Sequence, residues 1–410
     1  MTVVFEALRS QVVRCGQIRA AALCGALAVF VAGSEAAMAE PGVYADRIVF
    51  GQSAAFDGPA ASLGLSLRAG IVAAFDEANR SGGVHGRRLE LLYYDDGYEP
   101  EEAILNTRRL IEEDDVFALI GEVGTPTSRA TQPIAEEMAV PFIAPFTGAG
   151  FLRDNALSTV VNVRASYDQE TEELVRYLTQ DLGLLRIAVL FQDDTFGRAG
   201  LNGVVEALER RGLEPVADFT YMRNTVAVKR AVLALRRADP EAVIIIGAYN
   251  PTAEFIHVAT DAGMQPVFAT VSFVGANALA AELDPVVATV VVSQVVPLYG
   301  DSDDPLSRSF QDAMEAQVAN MEARLGWKEA GFVGLEGYVA GRLAVEALRQ
   351  IGPEPTRSAF LDTLSSETSF DIDGLELTFG RDDNQGSDAV FLTAIASDGS
   401  FAYVDTGLSQ

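Results

Sequence analysis

The chain has 410 residues, 49% of them hydrophobic, and a formal net charge of −28. That length permits more than one domain, and the apolar share is ample for sizeable cores. The charge argues against nucleic acid and anionic membrane surfaces as partners. Lysine occurs only at Lys229 and Lys328, so almost every cation is an arginine.

The first 39 residues read as a secretory signal peptide. Arg9, Arg14 and Arg19 form a basic lead, Ala20 to Gly33 is a short apolar run, and Ala37-Met38-Ala39 is a small-x-small cleavage signal before Glu40. The run falls well short of the ~20 residues a membrane span needs. No later stretch is long and apolar enough, so the expectation is an exported, periplasmic protein cleaved after Ala39 and not embedded in a membrane. Both cysteines, Cys15 and Cys24, lie inside the leader, which leaves no disulfide or thiol chemistry beyond it. His85 and His257 fall in separate segments without ligand-like spacing, so neither a zinc site nor a Ser–His–Asp triad is expected.

Arg47 to Ser53 reads as a strand, followed by a Gly/Pro loop from Ala54 to Gly64. A helix follows, with Leu67, Ile71, Phe75 and Ala78 on one face and Ser81-Gly82-Gly83 ending it. Leu89 to Tyr94 is a second strand. Asp95-Asp96-Gly97 turns the chain, and Pro100 opens a helix with Glu101 and Glu102 in its first turn. Val116 to Phe151 then reads VFALIGEVGTPTSRATQPIAEEMAVPFIAPFTGAGF. This is a strand to Ile120, a loop from Gly121 to Thr127, a helix capped by Thr127 or Ser128, a strand from Val140 to Ile143, and a loop from Ala144 to Gly150. The free N–H groups of such a helix suit a carboxylate or phosphate. Two loops at the carboxyl ends of adjacent parallel strands make the crevice where ligands of open α/β sheets bind.

The series so far is β-α-β-α-β-α-β, a parallel sheet with helices on both faces. Asn162 to Tyr167 breaks it, and a second series begins. Helices are expected at Tyr167 to Leu182, Arg198 to Arg211, Val226 to Ala238 and up to Ala262. Strands are expected at Arg186 to Phe191, Pro215 to Phe219, Ala242 to Gly247, Val267 to Thr270 and Val290 to Val296. The connecting loops are Gln192 to Gly197, Ala248 to Pro251 and Ser272 to Asn277. Pro305 to Leu325 and Val333 to Gln350 read as helices. Leu375 to Phe379, Val390 to Ala396 and Phe401 to Val404 read as strands, with Asp398-Gly399 a hairpin turn. No G-x-S-x-G elbow or G-x-x-x-x-G-K-[ST] loop occurs, so no enzyme and no cofactor is expected.

IVFGQSAAFDGPAASLG, SGGVHGRRLELLYYDD, FALIGEVGTPTSRATQPIAEEMAVPFIAPFTGA, FQDDTFGRAGLNG and FATVSFVG follow one another over Arg47 to Val404. In order and spacing they resemble the periplasmic leucine/isoleucine/valine-binding proteins, the type I solute-binding subunits of ABC importers. The resemblance implies an α/β fold of two doubly wound parallel-sheet lobes joined by a three-crossover hinge. The N-terminal lobe would take 45–163 plus 296–373, and the C-terminal lobe 164–295 plus 374–410. It further implies a monomer, ABC permease subunits as partners, no metal, and a small ligand clamped between the lobes.

By the same resemblance a ligand carboxylate would meet Gly124-Thr125 and Phe146-Thr147-Gly148. Pro126 cannot donate an N–H, which leaves Thr125 and Thr127. Aromatic contacts fall on Phe196 and Tyr249. The family's partner for a ligand α-ammonium falls on Ser272, whose neutral hydroxyl cannot balance a desolvated charge. Asp57, Glu122, Asp193 and Asp194 are candidates to replace it. Phe56, Phe146, Tyr167, Phe196, Tyr249 and Phe273 are expected on loops facing the cleft, which suits an apolar or ring-bearing ligand. Branched-chain or aromatic amino acids are the default ligand. An aromatic or aliphatic carboxylate without an amine, or a sensory receptor role, are the alternatives.

Overall fold

The computed structural model describes residues 40–283, 289–317, 331–366 and 368–405. The expected signal peptide and the end of the helix expected from Pro305 to Leu325 lie outside these residues.

Strands β1 (Arg47–Ala54), β2 (Arg88–Asp95), β3 (Ala118–Ile120), β4 (Phe142–Ile143) and β5 (Val160–Val161) form one sheet in the order β2-β1-β3-β4-β5. All its pairings are parallel. The crossovers are the helices α1 (Ala61–Arg80), α2 (Pro100–Glu112) and α3 (Thr125–Glu137). Ala118 to Ile120 and Phe142 to Ile143 are wholly buried, as strands covered on both faces must be. Strand β5 is too short, at two residues, to carry a periodic signal.

The second series supplies α4 (Tyr167–Arg176), β6 (Ile187–Gln192), α5 (Thr195–Glu209), β7 (Ala217–Tyr221), α6 (Lys229–Ala238), β8 (Ala242–Ile246), α7 (Tyr249–Asp261), β9 (Val267–Thr270), α8 (Ala276–Glu282) and β10 (Val290–Gln294). With β13 (Phe391–Ile395) and β14 (Phe401–Tyr403) they make a seven-stranded sheet, ordered β14-β13-β10-β9-β8-β6-β7. Its two antiparallel pairings are β10–β13 and β13–β14, so β13 alone runs against the other strands. Helix α4 is shorter than its apolar pattern suggests, because the chain winds into a π turn over Tyr177–Asp181. The expected loops at Gln192 and Ala248 are shorter too. Helices α5 and α7 begin at Thr195 and Tyr249, and the supposed loop after Ser272 holds a 3-10 turn and then α8.

Helices α9 (Pro305–Glu315), α10 (Phe332–Ile351) and α11 (Arg357–Ser365) precede a two-stranded hairpin of β11 (Thr368–Ile372) and β12 (Leu375–Phe379). Strand β12 therefore pairs with β11, not with the seven-stranded sheet. Residues 384–386 stay beside the first sheet as well: the Asn162 N–H donates to the Asn384 carbonyl, and the Gly386 N–H donates to Asn162. The chain crosses to the second sheet only after this point, later than the expected boundary at 373.

Helix α10 packs along α1 at very short range. A Cβ on Gly337 would lie 2.1 Å from the Leu67 carbonyl oxygen, and one on Gly70 would lie 1.9 Å from that of Gly334. The two backbones approach only because these side chains are absent. Gly337→Ala is expected to destabilise the protein by about 1–3 kcal/mol through overpacking. A urea midpoint that falls with an unchanged m-value checks it.

Candidate functional site

The carboxyl ends of both sheets meet over a cluster of buried side chains. Gly124 caps α3 at φ 104, and Tyr98 forbids any side chain there: a Cβ on Gly124 would sit 2.1 Å from the tyrosine ring. This corrects the expected cap. The Thr127 hydroxyl turns back to the Val123 and Gly124 carbonyls and is committed, and Ser128 makes no cap hydrogen bond. Thr125 opens the helix, and its hydroxyl lies 2.7 Å from that of Thr147, which follows β4. Thr147 also reaches the Tyr167 hydroxyl at 3.3 Å. Gly148 lets Tyr167 approach, since a Cβ there would be 2.6 Å from the Tyr167 nitrogen. Two strand-end loops and the start of α4 thus present three hydroxyls together, beside the first-turn amides of α3.

Five aromatic rings surround them. Phe273 stacks on Phe146 at 5.4 Å and packs against Phe196 at 4.5 Å and Tyr98 at 6.0 Å, while Tyr167 meets Phe196 at 5.4 Å. All five are at most 1% exposed. Tyr98 and Phe146 follow strands of the first sheet, whereas Phe196 and Phe273 belong to the second. Burial pushes the Tyr167 phenol up to about 12, so it stays protonated at neutral pH.

The other expected members make these contacts. Phe56 packs edge-on against Tyr93 with the Arg68 guanidinium over both rings. Asp57 is exposed and accepts from the Gly58 N–H of its own loop. Asp193 is exposed and paired with Arg198, and Asp194 caps α5 through the Phe196 and Gly197 amides. Tyr249 is buried and its hydroxyl accepts from the Ser62 N–H at 3.4 Å, tying α7 to α1. Arg223 and Asn224 likewise hold Glu99 at 2.6 and 2.7 Å, and Gln192 reaches the Tyr98 hydroxyl at 3.4 Å.

Ser272 is the decisive position. Its hydroxyl accepts a hydrogen bond from the guanidinium of Arg164, and its N–H donates to Glu170 at 2.8 Å. Arg164 also donates to Glu170 at 2.8 Å and to Glu336 at 3.2 Å. All four residues are at most 3% exposed. Burial pulls Arg164 down, but the facing Glu336 and Glu170 outweigh it and its pKa stands above the ordinary value. Burial pushes the Glu336 carboxyl up to about 7 against the pull of Arg164. Arg153 adds a second guanidinium. Its donors go to the carbonyls of Thr147, Ala149, Arg164 and Ala165 and to Gln385, with no carboxylate among them. Burial, and then the charge of Arg164, pull Arg153 down to about 9.

Glu122 is 1% exposed, and neither carboxylate oxygen meets a hydrogen-bond partner outside its own residue among those described. Burial, with Asp96 nearby, pushes it well above the ordinary range. Asp96, held by the Tyr98 N–H and the Ser53 hydroxyl, is pushed up to about 7, again by burial.

Sequence reasoning missed Tyr98, Arg164, Glu170 and Glu336. Arg164 and Glu336 left a signal: each is a charge set directly among apolar and small residues, in NVRAS and VGLEGYV. Tyr98 and Glu170 left none, since a tyrosine after a turn and a glutamate in an acidic helix are ordinary.

Asp96 and Glu336 have folded-state pKa values raised from 3.8 and 4.5 to about 7. The native state holds these protons longer than the unfolded chain does, so their stabilisation is complete below about pH 4 and is lost as pH rises through about 7. Unfolding free energy is expected to fall between pH 5 and 8. Asp96→Asn and Glu336→Gln should each remove about 1–2 kcal/mol of that fall. Urea titrations at the two pH values check it.

A periplasmic binding protein family profile matches residues 47–400. Leu/Ile/Val-binding protein homolog 7 of Brucella abortus is 26% identical over 307 residues, covering 72% of this chain and 75% of that protein. The leucine-, isoleucine-, valine-, threonine- and alanine-binding protein of Pseudomonas aeruginosa is 23% identical, covering 84% and 91%. The crystal structure of a possible leucine/isoleucine/valine-binding protein from Rhodopirellula baltica superposes with a TM-score of 0.81 at 36% identity, covering 90% of this chain and 99% of that one. Among the described residues no helix is long and apolar enough to cross a membrane. The chain therefore belongs to the periplasmic leucine/isoleucine/valine-binding protein family, whose members bind solutes and are not enzymes.

Proposed function

We propose that the protein is exported to the periplasm, binds a small carboxylate-bearing solute with an apolar or ring-shaped body, and delivers it to an ABC importer. The observation that carries this reading is the Thr125–Thr147 hydroxyl pair, set at the start of α3 and walled by rings from both sheets. Helix-terminal amides and hydroxyls suit an anion, and the rings suit a hydrophobic body. The Pseudomonas relative named for leucine, isoleucine, valine, threonine and alanine makes amino acids the default ligand class.

The motion follows from the architecture. One lobe takes 45–163 with 296 to about 386, and the other takes 164–295 with the last two strands; β11–β12 pairing and the Asn162–Gly386 contact support the later third crossover. Ligand favours closure because only the closed form contacts it from both sides. The ties of Glu99 to Arg223 and Asn224, and of Ser62 to Tyr249, are the contacts such an opening would break. A permease would then read the closed state.

Replacing Thr125 and Thr147 together by valine keeps the shape and removes both hydroxyls. Affinity for the physiological carboxylate is expected to drop roughly 100-fold, since hydrogen bonds to a charged group are worth about 1.5–3 kcal/mol each. Calorimetric titration measures it, with an unchanged melting temperature of the ligand-free variant as the folding control. In cells, uptake of that solute should fail on deletion of the gene and return with the wild-type copy but not with the double variant. Unchanged affinity would mean that the anion binds elsewhere.

A further inference from the structure

We infer that Phe273 sets the size of the solute: its ring fills the slot between the two sheets, so the site takes a carboxylate with a short alkyl body and turns away one that carries a ring. This narrows the proposed function and rests on it.

Phe273 belongs to the turn after β9 in the second sheet, and Phe146 to the loop after β4 in the first. The two rings stack with 5.4 Å between their centres, and Phe273 also packs against Phe196 at 4.5 Å. All three are at most 1% exposed. Thr147 follows Phe146 directly, so a carboxylate held by the Thr125–Thr147 pair has its body beside this stack. Aromatic rings in contact keep their centres at least about 4.5 Å apart. A solute ring seated between Phe146 and Phe273 would need those two centres about 9 Å apart, against the 5.4 Å observed.

The rings cannot yield that space by themselves, because both stand on held backbone. The Ser272 N–H donates to Glu170 and its hydroxyl accepts from Arg164, while the Gly275 N–H closes the turn onto the Ser272 carbonyl. On the other side the Phe146 N–H donates to the Glu122 carbonyl at 2.7 Å, and the Phe146 carbonyl accepts from the Gly124 N–H at 3.2 Å. In a close-packed interior a ring turns aside only if its neighbours move too. Parting the sheets would admit a solute ring, at the loss of the ties of Glu99 to Arg223 and Asn224 and of Ser62 to Tyr249, which are made in the same conformer as the ring stack. A short alkyl body beside the stack leaves those ties whole. The protein's own ring thus takes the place that a ring of the solute would need.

Calorimetric titration of protein refolded from denaturant, to strip carried-over solute, tests this with two ladders of rising body size. One is propionate, isovalerate and phenylacetate, and the other is L-alanine, L-leucine and L-phenylalanine. In each ladder that binds, the ring-bearing member is expected to bind at least about tenfold more weakly than the best alkyl member, which is the scale of an overpacking cost. Phe273→Ala opens an apolar cavity the size of a ring, and there the ring-bearing member should gain at least about tenfold over the alkyl members. A ring-bearing member that binds the wild type as tightly as the alkyl members overturns the inference and leaves the carboxylate reading standing. An unchanged ratio in folded Phe273→Ala does the same. Binding of neither ladder overturns the carboxylate reading itself, and the inference falls with it. Should Phe273→Ala not fold, Phe273→Leu carries the comparison: a smaller gain for the ring-bearing member supports the inference, and no gain overturns it.

Discussion

The rest of the structure depends on one buried cation. Arg164 sits in the segment where the chain leaves the first sheet, and it holds Glu170 of α4, Glu336 of α10 and Ser272 of the turn after β9. These come from parts of the chain more than 160 residues apart, so the ion cluster is a node between the two sheets and not a local turn. A charge removed from water must be paired on every side, and deleting one member of such a group typically costs about 3–5 kcal/mol. The arrangement fixes where α4 starts and hence where Tyr167 stands against Thr147.

Around that node the two sheets contribute unlike halves of one cluster. The first brings hydroxyls and helix-terminal amides, rigidly held because Gly124 and Gly148 let Tyr98 and Tyr167 press close to the backbone. The second brings mainly rings, with Phe273 touching three of the other four. Under the proposed function, a polar floor and an apolar wall on separate sheets would make a site that is complete only when the two meet, as a binding protein that reports occupancy by closing requires.

Much of the fold was legible. Apolar runs bounded by glycine gave the strands, and 3.6-residue periodicity gave the long helices such as α1 and α10. Short elements escaped: β5 has two residues, and α11 follows a Pro- and Thr-rich stretch that reads as loop. That the loops of Thr125 and Thr147 come together was also legible, because Gly and Thr before a helix have a local reason to be there. The counter-ion was not. Asp57, Asp193 and Asp194 were attractive by position in loops; Asp57 accepts within its own loop, Asp193 pairs with Arg198, and Asp194 caps α5 while also meeting Gln192 and Arg223. The contact of Phe56 with Tyr93 and Arg68 left no sign in the sequence.

By itself the sequence determined the layers, the order of elements and the meeting of the Gly/Thr loops, because these follow from periodicity, turn residues and the local geometry of helix starts, while its motifs in order carried the family resemblance. Only the tertiary structure decided which charges are brought together. Arg164 and Ser272 are 108 residues apart, and Arg164 and Glu336 are 172 apart. Whether an acid is a counter-ion, a cap or a buried neutral group depends on what desolvates and opposes it, and no local pattern records a partner that arrives from the far end of the chain.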